Sequence, residues 1–220
     1  ANWTVAKRLP ATAWQAAFTP GAKEVILLCE DRLVFWNLTT GVTTSVPRTP
    51  GEESRERILL AHDGRRLFLS HRARNTIEVW DVPVRKLVQT LKTVGQCISL
   101  AVSPDGRWLA AGRWNGKVSL LALPDLKMVD SIEVHERITR GVTFSPDSRL
   151  LATGGGDQLV KLWKVRDSSA AKVPVLSLQD TFRGHREGIF GLAFSSDGQQ
   201  LVSAGHDGTA RLWPLAVAGP

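Results

Sequence analysis

Apolar and polar residues alternate with a period of two in short runs along the 220-residue chain, as in "GLAFS" and "TARLW". Such runs are rich in β-branched and aromatic residues and predict strands with a buried face. Between them recur turn segments of one kind: "FTPGAKEV", "LAHDGRRL", "VSPDGRWL", "FSPDSRLL" and "FSSDGQQL". Pro or Ser ahead of Asp-Gly, set between two apolar runs, is hairpin chemistry. No amphipathic helical period interrupts the strands, which come four to a unit. Each unit therefore reads as a four-stranded antiparallel sheet, and the fold class as all-β.

The units repeat. Their third strands end in "LVFW" at Trp36, "IEVW" at Trp80, "VSLL" at Leu121, "VKLW" at Trp163 and "ARLW" at Trp213, with steps of 44, 41, 42 and 50 residues. Fourth strands follow in "GVTTSVP", "VRKLVQTL", "LKMVDSI" and "VPVLSLQD", but none follows "ARLWPL". The segment "WTVAKRL" at 3–9 has the same character and is expected to supply the missing strand. The long last step comes from "KVRDSSAAKVPV", which adds about eight residues between third and fourth strands and reads as a tolerated insertion.

A period of about 40 to 45 residues, with Gly-His near the start of a unit and Trp-Asp at its end, resembles the WD-repeat family of β-propellers. The likeness is strongest in the last two units, where Gly184-His185 and both "LW" ends stand. Of the third-strand ends, only Trp80-Asp81 keeps the dipeptide that names the family. The resemblance implies five blades with cores near 12–47, 52–91, 93–132, 134–182 and 184–215, and 3–9 closing the last. Both a closed five-bladed ring and part of a larger, typically seven-bladed propeller fit this count.

In the last unit His185, Ser203, Asp207 and Trp213 are separated by 18, 4 and 6 residues, which invites a nucleophilic reading. The unit before repeats the spacing with His135, Thr153, Asp157 and Trp163. A catalytic triad is needed once, and its Ser cannot become Thr without changing the chemistry at the reacting centre. Nor does Ser203 sit in a Gly-x-Ser-x-Gly elbow. The resemblance implies a structural chain instead, from indole to hydroxyl to imidazole to carboxylate. In the third unit the matching positions hold Thr93, Ala111, Asn115 and Leu121, so apolar packing is expected to hold that sheet. The first two units show no His at that point and are expected to be less rigidly specified.

A net charge of +7 and a pI near 9.9 suit an anionic partner. Matching the family's pattern, the turns "CEDR", "SHRARN", "GRWNG", "GGGDQ" and "GHDG" and the lead-in loops "HERITR" and "GHREG" share one end of the sheets. They carry Arg32, Arg72, Arg74, Arg113, Trp114, Arg137, Arg140, Arg186 and His206. Arg and Trp are enriched at binding hot spots, and the Arg fork fits carboxylates and phosphates. Trp114, at a turn tip, is expected to need a partner to cover it.

The chain thus reads as a non-enzymatic scaffold for protein or peptide partners, acidic or phosphorylated ones included, and as one module of a larger protein. Nucleic acid or another polyanion is the alternative partner, and a hydrolase the least supported reading. No cofactor, small-molecule substrate or metal site is expected, since the five histidines lack paired ligand spacing. Cys29 and Cys97 lie in apolar runs as core residues. No apolar run approaches the roughly 20 residues of a spanning helix, so no membrane insertion and a cytoplasmic location are expected.

Overall fold

A computed structural model describes residues 12–48, 56–166 and 175–215. Among them are nineteen strands and one 3-10 turn, Pro20–Ala22. The chain divides into two compact units, Ala1–Ser54 and Arg55–Pro220.

The first unit holds one antiparallel sheet in chain order: β1 (Ala13–Phe18), β2 (Glu24–Cys29), β3 (Arg32–Asn37) and β4 (Thr43–Pro47). The apolar runs "EVILLC" and "RLVFWN" make its central strands and bury Ile26, Leu28, Leu33 and Phe35. The polar "TTSVP" forms its exposed edge.

Four more sheets make up the second unit. The second sheet is β5 (Arg57–Leu60), β6 (Arg66–His71), β7 (Thr76–Asp81) and β8 (Lys86–Lys92), and the third is β9 (Cys97–Val102), β10 (Trp108–Arg113), β11 (Lys117–Ala122) and β12 (Lys127–Glu133). In the fourth are β13 (Thr139–Phe144), β14 (Leu150–Gly155), β15 (Val160–Val165) and β16 (Leu176–Phe182). The fifth has β17 (Ile189–Phe194), β18 (Gln200–Gly205) and β19 (Ala210–Pro214), three strands among the described residues. The expected closing strand at 3–9 lies outside the described residues, as do residues 167–174 of the insertion.

Because each sheet in this unit has an apolar face to bury, neighbours pack face to face. Phe68, Ile77 and Val79 of the second sheet meet Leu109, Ala111 and Leu121 of the third. Trp108, Val118 and Leu120 of the third meet Val142, Phe144 and Trp163 of the fourth. Ala152, Val160 and Leu162 then meet Ile189 and Leu201 of the fifth. Each fully buried Leu, Ile or Phe is worth about 1.5–3 kcal/mol, so these contacts dominate the stability.

Local chemistry sets the turns. Ser103, Ser145 and Ser195 each donate a hydroxyl hydrogen bond to the Asp two residues on, at 2.5, 2.6 and 2.5 Å. That Asp accepts the backbone N–H of Arg107, Arg149 or Gln199, at 3.0, 3.0 and 2.9 Å. The Ser-x-Asp motif, in "SPDG", "SPDS" and "SSDG", is thus a side-chain-locked hairpin turn, repeated in three sheets.

Each pairing of third with fourth strand in the second, third and fourth sheets carries a β-bulge beside Trp80, Leu121 or Trp163. A bulge twists an edge strand away from further pairing. A second bulge recurs where first strands meet second strands, at Trp14, Ile98, Arg140 and Phe190. It re-aims one side chain per sheet.

Candidate functional site

In the fourth sheet the four spaced residues form one hydrogen-bonded chain. The Trp163 indole N–H donates to the Thr153 hydroxyl at 3.0 Å. Thr153 Oγ1 lies 2.9 Å from His135 Nε2, and His135 Nδ1 lies 2.9 and 3.0 Å from the Asp157 oxygens. One proton arrangement satisfies every group: indole N–H to hydroxyl oxygen, hydroxyl proton to Nε2, and Nδ1–H to carboxylate. The fifth sheet repeats it, with Trp213 to Ser203 at 2.9 Å, Ser203 to His185 at 2.7 Å, and His185 to Asp207 at 3.0 and 3.1 Å.

Each carboxylate also anchors backbone. Asp207 accepts the N–H of Arg186 at 2.9 Å and that of Thr209 at 3.0 Å, and the Thr209 hydroxyl at 2.8 Å. The Arg186 N–H, with Thr209 and His185, holds its pKa well below the usual carboxylate value against the cost of desolvation. At Asp157 desolvation pushes the pKa upward, but the hydrogen bonds from the His135 ring and from the Leu159 and Glu136 N–H groups outweigh it and the net shift is downward.

Glycines make room for this. A Cβ on Gly155 would collide with the His135 ring and with Asp157 Oδ1, and one on Gly205 would sit 2.6 Å from His185 Nδ1. The glycine two positions before each Asp was therefore a readable signal, which the turn reading of "GGGDQ" and "GHDG" passed over.

Thr153 and Ser203 are fully buried and both hydroxyls are engaged on two sides. A nucleophile must meet its substrate, and these face packed protein. Ser203→Ala is expected to lower stability by about 1–2 kcal/mol in urea unfolding, because it strips partners from the Trp213 indole and the His185 ring. Stability equal to that of the native chain would show that the hydroxyl bridges nothing of consequence. Burial pushes the Cys97 pKa up to about 12, which keeps this thiol protonated in the core.

The second sheet corrects an expectation. It was to be loosely specified, yet it holds its own buried network. His71 Nδ1 lies 2.5 Å from Glu56 Oε1, His71 Nε2 lies 3.0 Å from Glu78 Oε1, and the Trp80 indole donates to Glu78 Oε2 at 2.9 Å. All four side chains are buried. The histidine sits on a strand rather than in the lead-in loop, so a search at the family's position misses it. Glu78, alternating into an apolar strand two residues before Trp80, was the available clue. In the third sheet Ala111 and Leu121 are buried among Phe68, Val102 and Leu109, an apolar solution to the same space.

The turns and lead-in loops of the second unit form a continuous strip. Thr93 N–H donates to Asn75 O at 2.7 Å, and Trp114 N–H to Gln96 O at 3.0 Å. His135 N–H donates to Gly116 O at 3.0 Å, Gly156 N–H to Ile138 O at 2.8 Å, and His206 N–H to Gly188 O at 2.9 Å. Gly116 has φ +79°, and a Cβ there would run into the His135 carbonyl, so that turn and the next loop meet backbone to backbone. Loops tied this way are held rigidly in register.

Most of the expected arginines stand on this strip: Arg74, Arg137, Arg140 and Arg186 are exposed, and Arg72 is half-buried. His206 is exposed and packs on Phe190, itself 51% exposed, with ring centroids 5.1 Å apart. Phe190 and Arg140 reach the strip through the first-strand bulges, which no sequence pattern announces.

Three expectations need correction. Arg113 is only 5% exposed and spends its Nη1 on Val94 O at 2.7 Å, because the side chain turns inward from the strand end. It is a pin and not a contact residue. Trp114 is 50% exposed but not bare: the Arg72 guanidinium lies 4.4 Å from its ring centroid. Arg32, in the first unit, is not a bare fork either: its guanidinium donates twice to Asp31 at 2.7 Å.

Comparison with known proteins gives matches to the WD domain, G-beta repeat family at residues 85–120, 126–164 and 176–214, more than half of the chain. The chain belongs to the WD-repeat family. Each match begins near a fourth strand and runs through three strands of the next sheet, so the sequence repeat is out of phase with the sheet. The matches span the third, fourth and fifth sheets, including both with His–Asp chains.

Among relatives, 100 residues are 40% identical to the protein LST8 homolog of Drosophila pseudoobscura pseudoobscura, covering 41% of this chain and 32% of that one. Over 140 residues the chain is 30% identical to the WD repeat-containing protein SL1-17 of Schistosoma mansoni, covering 63% and 45%. Over 90 residues it is 30% identical to the meiotic recombination protein rec14 of Schizosaccharomyces pombe, covering 40% and 30%. This WD-repeat chain therefore spans less than half the length of the relatives it matches. No helix among its described residues is long and apolar enough to cross a membrane.

Proposed function

We propose that this WD-repeat chain is a non-enzymatic platform for protein partners, its sheets serving as propeller blades and its partners docking on the loop strip of the second unit. The observation that carries this reading is the strip itself. Loops of the second, third and fourth sheets are bonded to one another through their backbones, and the fifth sheet's lead-in loop, bonded to its own turn, abuts the fourth's turn where Gly188 meets Gly156, while Arg72, Trp114, Arg137, Arg186 and Phe190 project from them. Binding side chains are concentrated on loops held by a rigid scaffold. Membership of a repeat family whose units stack into extended surfaces supports it. The buried His–Ser/Thr–Asp chains serve as braces that hold the turn and the lead-in loop of a blade together.

Arginine forks on the strip favour carboxylate or phosphate groups on the partner. The same exposed arginines and the +7 charge give the nucleic-acid reading its support. The two differ in salt dependence, since binding that neutralises several phosphates weakens steeply and linearly in log salt.

Affinity capture tests the platform. The intact chain is compared with a variant carrying Arg72→Glu, Arg137→Glu and Arg186→Glu, captured proteins being identified in both. The variant is expected to lose the partners the intact chain retains. Recovery of the same set by both would end the proposal.

A further inference from the structure

A cavity of about 830 Å³ opens between the fourth and fifth sheets, at the end of the strands opposite to the loop strip. Its walls are the Ser-x-Asp turns of both sheets, the end of β15 and one residue of β16. The two turns meet at one rim, where a Cβ on Gly198 would come 3.6 Å from Pro146 Cδ. The β16 residue is Gln179, which stands as the extra residue of the bulge between Leu178, opposite Trp163, and Asp180, opposite Leu162. A bulge re-aims a side chain, and this one lines the cavity.

Three cations line it as well: Arg149, Lys164 and Arg166. Register brings them together, since Lys164 pairs with Leu150 and the Val165 N–H donates to Arg149 O at 2.8 Å. All three are exposed, and among the described residues none of these side chains has a hydrogen bond or an ion pair. Asp147 and Asp197 reach the cavity too, but each spends an oxygen on the Ser hydroxyl and a backbone N–H of its own turn. Three positive charges thus stand against two negative ones that are already engaged. Nor does the repeat demand these cations. At the places of Lys164 and Arg166 the third sheet has Ala122 and Pro124, and the second has Asp81 and Pro83.

We infer that this cavity is a binding site for a small molecule of nucleotide size, one in which a phosphate adjoins a flat, largely apolar body. Lys164 and Arg166 take the phosphate, with Arg149 beside them. A phosphate carries a charge of about −1.5 to −2 and several acceptor oxygens, so it uses a group of cations more fully than a carboxylate does. The body lies on Leu150, Val165 and Leu215, and the carboxamides of Gln179 and Gln199 meet its polar edge. Small-molecule sites are clefts of about 300 to 1,000 Å³ in which a few placed polar groups fix the ligand over apolar lining. The site is separate from the loop strip and does not depend on the platform reading.

Isothermal titration calorimetry of the full chain tests it, with AMP, adenosine and inorganic phosphate as probes. AMP is expected to bind with a Kd on the order of 10–100 μM, and adenosine and phosphate each about tenfold more weakly or worse, since each offers only part of the contacts. Lys164→Glu and Arg166→Glu are each expected to weaken AMP by about tenfold or more. Both replace exposed side chains, so the loss reads binding rather than folding. The variant carrying Arg72→Glu, Arg137→Glu and Arg186→Glu is expected to bind AMP within about twofold of the native chain.

A Kd for AMP weaker than about 1 mM overturns the inference, as does either adenosine or inorganic phosphate binding as tightly as AMP. AMP binding that survives both cavity substitutions and is lost in the loop-strip variant would move the phosphate to the strip and empty the cavity of its role. A single-stranded oligonucleotide that binds more tightly than AMP, and is released by Lys164→Glu, would give the cavity to nucleic acid and overturn the small-molecule occupant.

Discussion

His135→Ala is expected to lower the stability of the chain by about 3 kcal/mol or more, because it removes a fully buried side chain from the middle of a hydrogen-bonded series. The hydroxyl of Thr153 loses its acceptor and Asp157 loses its imidazole donor, and a buried group left unpaired costs roughly 1–3 kcal/mol. The cavity adds to that. For a unit of this size the loss amounts to a fall of about 6–12 °C in the midpoint of a calorimetric scan. The asymmetry of hydrogen bonding makes a second outcome informative. Removing the whole series with His135→Leu, Thr153→Val, Asp157→Asn and Trp163→Leu is expected to recover much of the loss, since no buried charge is then stranded and the amide oxygen still accepts the Leu159 N–H, as Asn115 accepts that of Lys117 in the third sheet. The third sheet already lives with Ala111 and Leu121 at those places. A His135→Ala chain that melts with the native one would remove imidazole bridging from the account of this sheet.

The sheets were legible because their determinants are local. Alternation, the Ser-x-Asp turn and the apolar-Trp end each act within a few residues, and together they mark four strands per repeat. The His–Asp chains came from another source: two copies at one spacing argue against a triad, and the chain itself is what the family resemblance implies; the His–Asp distances in the two sheets are alike.

What escaped depends on contacts made across strands. His71 finds Glu56 and Glu78 only when β5, β6 and β7 lie side by side, and nothing in the spacing of residues 56, 71 and 78 repeats elsewhere in the chain. Arg113 stands in a turn motif next to Trp114, so sequence position alone gave both the same role. One turns inward to a loop carbonyl and the other outward under Arg72. Bulges are equally silent: they count residues on two strands at once, and one of them sets Phe190 on the loop strip without any local mark.

His71→Ala is expected to cost about 3–5 kcal/mol at neutral pH, since it takes the imidazole out of a buried ionic cluster and leaves two carboxylates without the ring between them. Here Glu56 and Glu78 would remain buried without the ring that separates them. Chemical unfolding of the variant beside the native chain measures it, and a difference below about 1 kcal/mol would show that the cluster is not an ionic one. Acidity gives an independent reading. Burial opposes the charged ring, but the hydrogen bonds and charges of Glu56 and Glu78 outweigh it, and the His71 pKa is raised above 6.5. A raised folded pKa means that this stabilisation is complete below pH 6.5 and is lost as pH climbs through the folded value. Asp157 and Asp207 work in the other sense: their pKa values are lowered from 3.8, so their contribution is complete above that pH and is lost as pH falls through the folded values. Unfolding free energy is thus expected to plateau between about pH 3.8 and 6.5 and to fall on either side. Glu56→Gln should flatten the decline above pH 6.5 and leave the acid side unchanged, whereas an undiminished decline would move its origin away from His71. The two edges of the plateau then have different origins, the acid edge in the lowered aspartates, Asp31, Asp147 and Asp197 beside Asp157 and Asp207, and the neutral edge in the histidine of the second sheet.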